Sequence, residues 1–120
     1  MKVIVTSQGR ELSSPVDRRF GRARCFLVVD TETSEVSAAD NSQNLNAAQG
    51  AGIQAGKNVV DLGAEAVITG HVGPKAFATL QAGGVQVYTG ATGTAADAID
   101  QFKAGSLKQS TSADVEGHWV

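Results

Sequence analysis

At 120 residues, with 42% hydrophobic and 18% charged residues, the chain has the composition of one globular domain large enough for a hydrophobic core. Its net charge of −2 gives no overall attraction to nucleic acid or to an anionic membrane, so we expect neither as a partner. Its one cysteine, Cys25, excludes an intrachain disulfide and any site built from several thiolates of one chain.

The start of the chain has no signal-peptide pattern, because only three apolar residues separate Lys2 from Thr6. No run approaches the roughly 20 apolar residues of a membrane helix, so we expect a cytoplasmic protein. The positive charge is concentrated here: residues 1–24 hold six basic and two acidic residues, a local charge of +4. The other 96 residues hold four basic and ten acidic residues, or −6. This distribution predicts one anion-binding end on an otherwise acidic molecule.

The first third of the chain predicts a strand, a long loop and a hairpin. The β-branched run at residues 3–5 is typical of a strand buried on both faces. Residues 7–23 form a loop of a length that is usually functional or disordered, and the aromatic Phe20 within it favours function. The apolar runs at residues 25–29 and 35–39 predict a hairpin whose second strand lies at or near a sheet edge.

The remainder predicts alternating helices and strands. A helical period at residues 47–62 contains glycines, which we attribute to close packing of the helix on the sheet or to a later helix start. A buried strand at 66–68 precedes a helix that begins at Pro74. A strand at 85–88 precedes a third helix, for which Thr94 is the predicted N-cap.

The predicted order is βββαβαβα, an α/β fold with a five-stranded mixed sheet flanked by three helices. Residues 1–107 form a single domain in this interpretation. Residues 108–120 are polar as far as Trp119 and are predicted to be a flexible tail.

Three loops are predicted to meet at one edge of the sheet. If the first, fourth and fifth strands are parallel, their carboxyl ends bring together the long loop, residues 70–74 and residues 89–94. Two of these loops open helices, whose first amides and dipole favour anions. We therefore predict one anion site formed by Arg19, Arg22, Lys75 and the backbone amides of the two glycine-containing loops.

Each of these features also has an ordinary structural interpretation. Surface arginines are usually solvated, and glycine turns before helices are common in α/β proteins. His71 is a candidate metal ligand, although a lone loop histidine is more often a hydrogen-bonding group. Cys25 is the other candidate ligand, but it lies in a predicted core strand, where cysteine behaves as a small hydrophobe. Cys25, His71 and His118 do not have the sequence spacing of metal ligands.

The residues do not predict an enzyme. No nucleoside triphosphate P-loop is present, and no serine or cysteine has a recognisable histidine partner. The first strand also lacks the carboxylates that a two-metal nuclease needs.

Three segments together resemble the dinitrogenase iron–molybdenum cofactor biosynthesis family over about residues 1–107. They are VDRRFGRARCF at 16–26, ITGHVGPKAFATL at 68–80 and GVQVYTGATGT at 84–94. The resemblance implies a ribonuclease-H-like fold and a carrier of a preformed molybdenum-containing metal–sulfur cluster, of Mo-Cu-S or Fe-Mo-S type. It also implies proteins that donate or accept the cluster as partners.

Such a cluster is a large anion that arginine, lysine and backbone N–H groups can hold without bonds from protein to metal. The alternative function is a non-enzymatic interaction or regulatory module that binds a protein partner or a phosphorylated ligand at the same edge. The candidate cluster-binding residues, taken from the predicted anion site and the family segments together, are Arg19, Phe20, Gly21, Arg22, Gly70, His71, Gly73, Lys75, Gly90, Thr92 and Gly93.

Overall fold

A mixed sheet with helices on both faces forms the molecule in the computed structural model, which describes residues 1–41 and 51–110. The strands lie in the order β3-β2-β1-β4-β5-β6, with β1, β4 and β5 parallel and every other neighbouring pair antiparallel. In chain order the elements are β1 (Lys2–Ser7), β2 (Cys25–Asp30), β3 (Val36–Asp40), α1 (Ala51–Asp61), β4 (Ala66–Ile68), α2 (Pro74–Ala82), β5 (Gln86–Thr89), α3 (Ala95–Lys103) and β6 (Lys108–Gln109).

The predicted α/β class, the three helices, the hairpin and the edge position of β3 are confirmed. The expected count of five strands is wrong, because Lys108 and Gln109 form β6 against Thr89 and Tyr88. These two residues were expected to begin the tail, and residues 111–120 of that tail lie outside the described ranges. A polar strand of two residues has no apolar period, so periodicity could not detect it. The ribonuclease-H-like assignment stays an expectation from the resemblance.

The helix ends follow local sequence signals. Pro74 occupies the first turn of α2, as predicted. Thr94 caps α3 through a capping box, in which Asp97 N donates to Thr94 Oγ1 at 3.1 Å and Thr94 N donates to Asp97 Oδ2 at 3.0 Å. The described part of α1 begins at Ala51, and residues 47–50 of the predicted helix lie outside the described ranges. No helix in residues 1–41 and 51–110 is long and apolar enough to cross a membrane.

The two faces of the sheet carry separate apolar clusters, because successive side chains of a strand point to opposite sides. Helices α1 and α2 cover one face, and α3 covers the other. The first cluster includes Ile4, Phe26, Val67, Val87, Ala55, Val59, Ala76 and Leu80. The second includes Val3, Val5, Leu27, Ile68, Ala95, Ala98 and Ile99. The strands β1 and β4 contribute to both clusters, which explains their uninterrupted apolar sequences.

Gly56 lets α1 approach its neighbour α2. A Cβ atom at this position would lie 2.9 Å from Thr79 Cγ2 and 3.0 Å from Thr79 Cβ. The expected reason for this glycine, close packing of the helix on the sheet, is therefore wrong: the close contact is between the two helices. Sequence could not show this, since the partner residue lies on another element.

We predict that Gly56→Ala lowers the free energy of unfolding by about 1 kcal/mol. Overpacking costs about 1–3 kcal/mol, and the better helix propensity of alanine returns about 1 kcal/mol. Urea denaturation of both proteins measures the difference. Adding Thr79→Ala removes the methyl group at 2.9 Å and should restore part of the loss. Equal or greater stability of Gly56→Ala alone would contradict the packing argument.

Candidate anion-binding site

Two loops are joined by backbone hydrogen bonds at the carboxyl edge of the parallel strands. They are the arginine loop (residues 8–24) and the histidine loop (residues 69–73). His71 N donates to Arg18 O at 2.8 Å, and Phe20 N donates to His71 O at 3.2 Å. These bonds form a short parallel bridge between Arg19 and His71. The bridge lies outside the named strands and places Arg19 beside His71.

The glycine loop (residues 90–94) completes the arrangement. Gly90 N donates to Gly70 O at 3.1 Å, and Ala91 N donates to Thr69 O at 3.2 Å. Val16 N of the arginine loop donates to Gly93 O at 2.9 Å. The predicted convergence of three loops is therefore present in the structure. The binding roles of the individual residues remain predictions.

Phe20 anchors the arginine loop to the hydrophobic core. This side chain is 0% exposed and stacks on Phe26, with ring centroids 5.9 Å apart and planes inclined by 22°. Ala23 and Val72, from the ends of the arginine and histidine loops, are buried in the same cluster. Phe20 is one of the predicted cluster-binding residues, and its ring lies in the core, directly after Arg19 in the chain. Gly21 is also buried, in the turn that follows.

Gly70 permits the close contact between the arginine and histidine loops. A Cβ atom here would lie 2.8 Å from both Arg18 Cα and Arg18 O. The obstruction is backbone, which cannot move aside without separating the two loops. The close approach of the two loops therefore requires glycine at position 70, whichever ligand the site binds.

The positive groups of the site come from the arginine loop beside His71 and from the first turn of α2. Arg19 has a side chain that is 51% exposed, and Lys75, in the first turn of α2, is exposed. The N-cap residue Gly73 has no side chain to bond the first amides of this helix. Those amides and the helix dipole favour an anion beside Arg19, Lys75 and the half-buried His71. Arg22 is half-buried and is engaged within the protein.

The glycine loop does not provide the predicted set of free amides. Its first two amides bond the histidine loop, as described above. Thr92 N donates to Gln101 Oε1 at 3.3 Å, and Gln101 Nε2 donates back to Thr92 O at 3.0 Å. Thr94 N is bonded within the capping box. Four of the amides at residues 89–94 are thus bonded within the protein, and through them the loop supports the other two loops. The binding roles of Gly90, Thr92 and Gly93 stay predictions. The Thr-x-x-Asp pattern at the start of α3 was the sequence signal for part of this arrangement.

The two candidate metal ligands lie on different elements. Cys25 begins β2, opposite Ser7, and packs in the cluster beneath α3. His71 belongs to the histidine loop, where it pairs with Arg19 through the bridge. Residues 1–41 and 51–110 contain no group of three His, Cys, Asp or Glu side chains that could hold a metal ion.

Cys25 lines a pocket of about 320 Å³ to which both the first and the last residues of the arginine loop contribute. The residue is 4% exposed, and its thiol donates to Gly9 O at 2.7 Å. Burial raises the pKa of the Cys25 thiol, although the Arg10 charge acts in the opposite direction. Sequence reasoning identified the cationic loop but not this pocket, whose other lining residues are Gln8, Gly9, Arg10, Arg24 and Asp40.

Residues 1–105 match the family described as dinitrogenase iron-molybdenum cofactor. The chain is 37% identical to the apo form of the orange protein from Desulfovibrio gigas, with a TM-score of 0.92 over 95% of this chain and 96% of that one. It is 40% identical to a putative NifB protein from Thermotoga, with a TM-score of 0.83 over 97% and 98% of the two chains. A putative dinitrogenase from Methanocaldococcus jannaschii shares the fold, at 17% identity and a TM-score of 0.68 over 93% and 96%.

Gly70→Ala should separate the arginine and histidine loops, because the new methyl group would meet the Arg18 backbone. We expect the free energy of unfolding to fall by about 1–3 kcal/mol, the usual cost of overpacking. Amide hydrogen exchange should show lost protection at His71 and Phe20, while the amides of β1 keep theirs. Unchanged protection at His71 and Phe20 would contradict this role of Gly70.

The raised pKa of Cys25 predicts a loss of stability at alkaline pH. Folding favours the neutral thiol, so this contribution is complete below the unfolded pKa of about 8.5 and is lost as the pH rises through the folded value. Urea denaturation at pH 7 and pH 10 measures the loss. Cys25→Ser is the matched control, since its hydroxyl does not titrate in this range. An equal loss in the two proteins would show that Cys25 does not contribute.

Proposed function

Because the chain belongs to the dinitrogenase iron-molybdenum cofactor family, we propose that it carries a preformed, anionic, molybdenum-containing metal–sulfur cluster. The family and the similarity to the orange protein support a role in the binding or biosynthesis of a cofactor. The observation that carries the finer proposal is the convergence of Arg19, His71 and the start of α2 at one sheet edge. The cluster is cargo in this proposal, of Mo-Cu-S or Fe-Mo-S type.

The donors at this edge suit an anion better than a bare metal ion. Arg19 and Lys75 supply positive N–H donors, and the first turn of α2 supplies amides and the positive end of a dipole. The sulfide atoms on the outside of a metal–sulfur cluster are acceptors for such groups. Residues 1–41 and 51–110 have no group of three His, Cys, Asp or Glu side chains that could bond a metal directly. The donor set therefore fits recognition of the outer sulfides.

The backbone of Arg19 has an apolar support. It lies on the buried side chains of Phe20 and Val72, which fix its position. The arginine fork can span two neighbouring acceptors, whereas Lys75 acts as a point charge. We propose that the protein holds the cluster in this way and passes it from a donor protein to an acceptor, without catalysis.

Reconstitution tests the proposal directly. The protein is incubated without oxygen with tetrathiomolybdate and a copper(I) or iron(II) salt, passed through a desalting column, and analysed for metals and absorption. We expect molybdenum to remain bound, with charge-transfer bands that free tetrathiomolybdate lacks. Loss of all metal on the column would overturn the proposal. Retention of phosphate or a phosphopeptide in its place would favour the interaction module, since the same donors bind phosphate.

Arg19→Ala should weaken tetrathiomolybdate binding by about tenfold. One charged hydrogen bond contributes about 1.5–3 kcal/mol, and about 1.4 kcal/mol corresponds to tenfold in affinity. An absorption titration at low salt gives the dissociation constants. Lys57→Ala is the matched control, because this exposed lysine of α1 lies outside the three loops and its removal changes the net charge equally. If both variants lose the same affinity, only net charge matters and the site is not at Arg19.

A further inference from the structure

Asp17 is a buried carboxylate inside the cationic arginine loop. The residue is 5% exposed, and its backbone is held at both ends by Thr6 of β1: Asp17 N donates to Thr6 O at 2.9 Å, and Thr6 Oγ1 donates to Asp17 O at 2.6 Å. The hydroxyls of Thr6 and Thr69 share a hydrogen bond of 2.8 Å. Asp17 is thereby fixed to the carboxyl ends of β1 and β4.

The side chain of Asp17 is directed at Arg19. Its Oδ1 atom accepts a hydrogen bond of 3.1 Å from Arg19 N and lies 3.9 Å from Arg19 Nε. The carboxylate is almost fully buried, with 8% of its side chain exposed, whereas the arginine side chain is 51% exposed. The contact uses the Nε end of the guanidinium. Its two Nη groups have no hydrogen-bond partner among the described residues.

A carboxylate at an anion site needs an explanation. Its charge reduces the attraction of the site for an anion, and burial of a carboxylate is costly unless it is paired and hydrogen-bonded. Neutral asparagine could still accept the bond from Arg19 N, because its side chain also carries an Oδ1 atom. What asparagine would lose is the attraction for the guanidinium.

We propose that Asp17 is a positioning residue, which orders the backbone and the Nε end of Arg19 and leaves the Nη groups to the ligand. The proposal rests on the function proposed above. It gives a result opposite to that of simple charge counting. If only net charge matters, removing the negative charge of Asp17 strengthens anion binding. If Asp17 orders Arg19, the same change weakens anion binding.

The first test is tetrathiomolybdate titration of the wild type, Asp17→Asn, Arg19→Ala and the double variant. We expect Asp17→Asn to bind about fivefold more weakly and to have no further effect when Arg19 is already alanine. Asp61→Asn is the matched control, since it makes the same charge change at the exposed end of α1 and should bind like the wild type. Binding by Asp17→Asn that equals or exceeds wild type overturns the proposal, as does an equal weakening in the Arg19→Ala background.

The second test needs no ligand. Nuclear spin relaxation of the Nε–H group should show Arg19 more ordered than the exposed Arg10 of the same loop, and this order should be lost in Asp17→Asn. Equal mobility of Arg19 and Arg10 in the wild type overturns the proposal, even if Asp17→Asn does not fold. If the wild type takes up no tetrathiomolybdate, the proposed function fails, and the relaxation result still decides whether Asp17 positions Arg19.

Discussion

The candidate site depends on the backbone contact between Arg18 and Gly70. Because Gly70 has no Cβ atom, the arginine loop comes close enough for His71 to bond Arg18 and for a parallel bridge to form beyond the strands. Arg19 is then a residue of an ordered edge. Without this contact it would belong to a long loop, whose residues each require about 1–2 kcal/mol to order. The contact therefore determines whether the positive charge has a fixed position.

Order and charge support each other at this edge. A flexible arginine loses conformational entropy when it binds, and that loss subtracts from the affinity that its charge provides. Three contacts remove part of this freedom during folding. Phe20 packs in the core, Val16 bonds the glycine loop, and Asp17 bonds Thr6 and Arg19. The glycine loop fits the same interpretation. Its amides bond other loops and α3, so it contributes rigidity more than direct recognition.

Sequence predicted the features that depend on local rules. Pro74 and Thr94 marked helix starts through their own chemistry, and parallel strands brought three loops to one edge by topology. The features that it missed depend on distant partners. The reason for Gly56 is visible only when Thr79 of α2 is placed beside it. The bonding of the Thr92 amide is visible only when the Gln101 side chain of α3 is placed. The convergence of the site could therefore be predicted, whereas the availability of each donor could not.

The absence of a group of three metal-binding side chains in the described part of the chain bears on how such a cargo would be released. A site built from thiolate and imidazole would bond the metals themselves, and release would require those bonds to break. The edge around Arg19 offers N–H donors instead, each contributing about 1.5–3 kcal/mol when charged. Three or four such bonds sum to about 5–12 kcal/mol before the cost of association is subtracted, and about 8 kcal/mol corresponds to micromolar affinity. An acceptor protein that supplies direct metal ligands can then withdraw the cluster. If the protein is the carrier proposed above, it protects the cluster while the acceptor provides the stronger bonds.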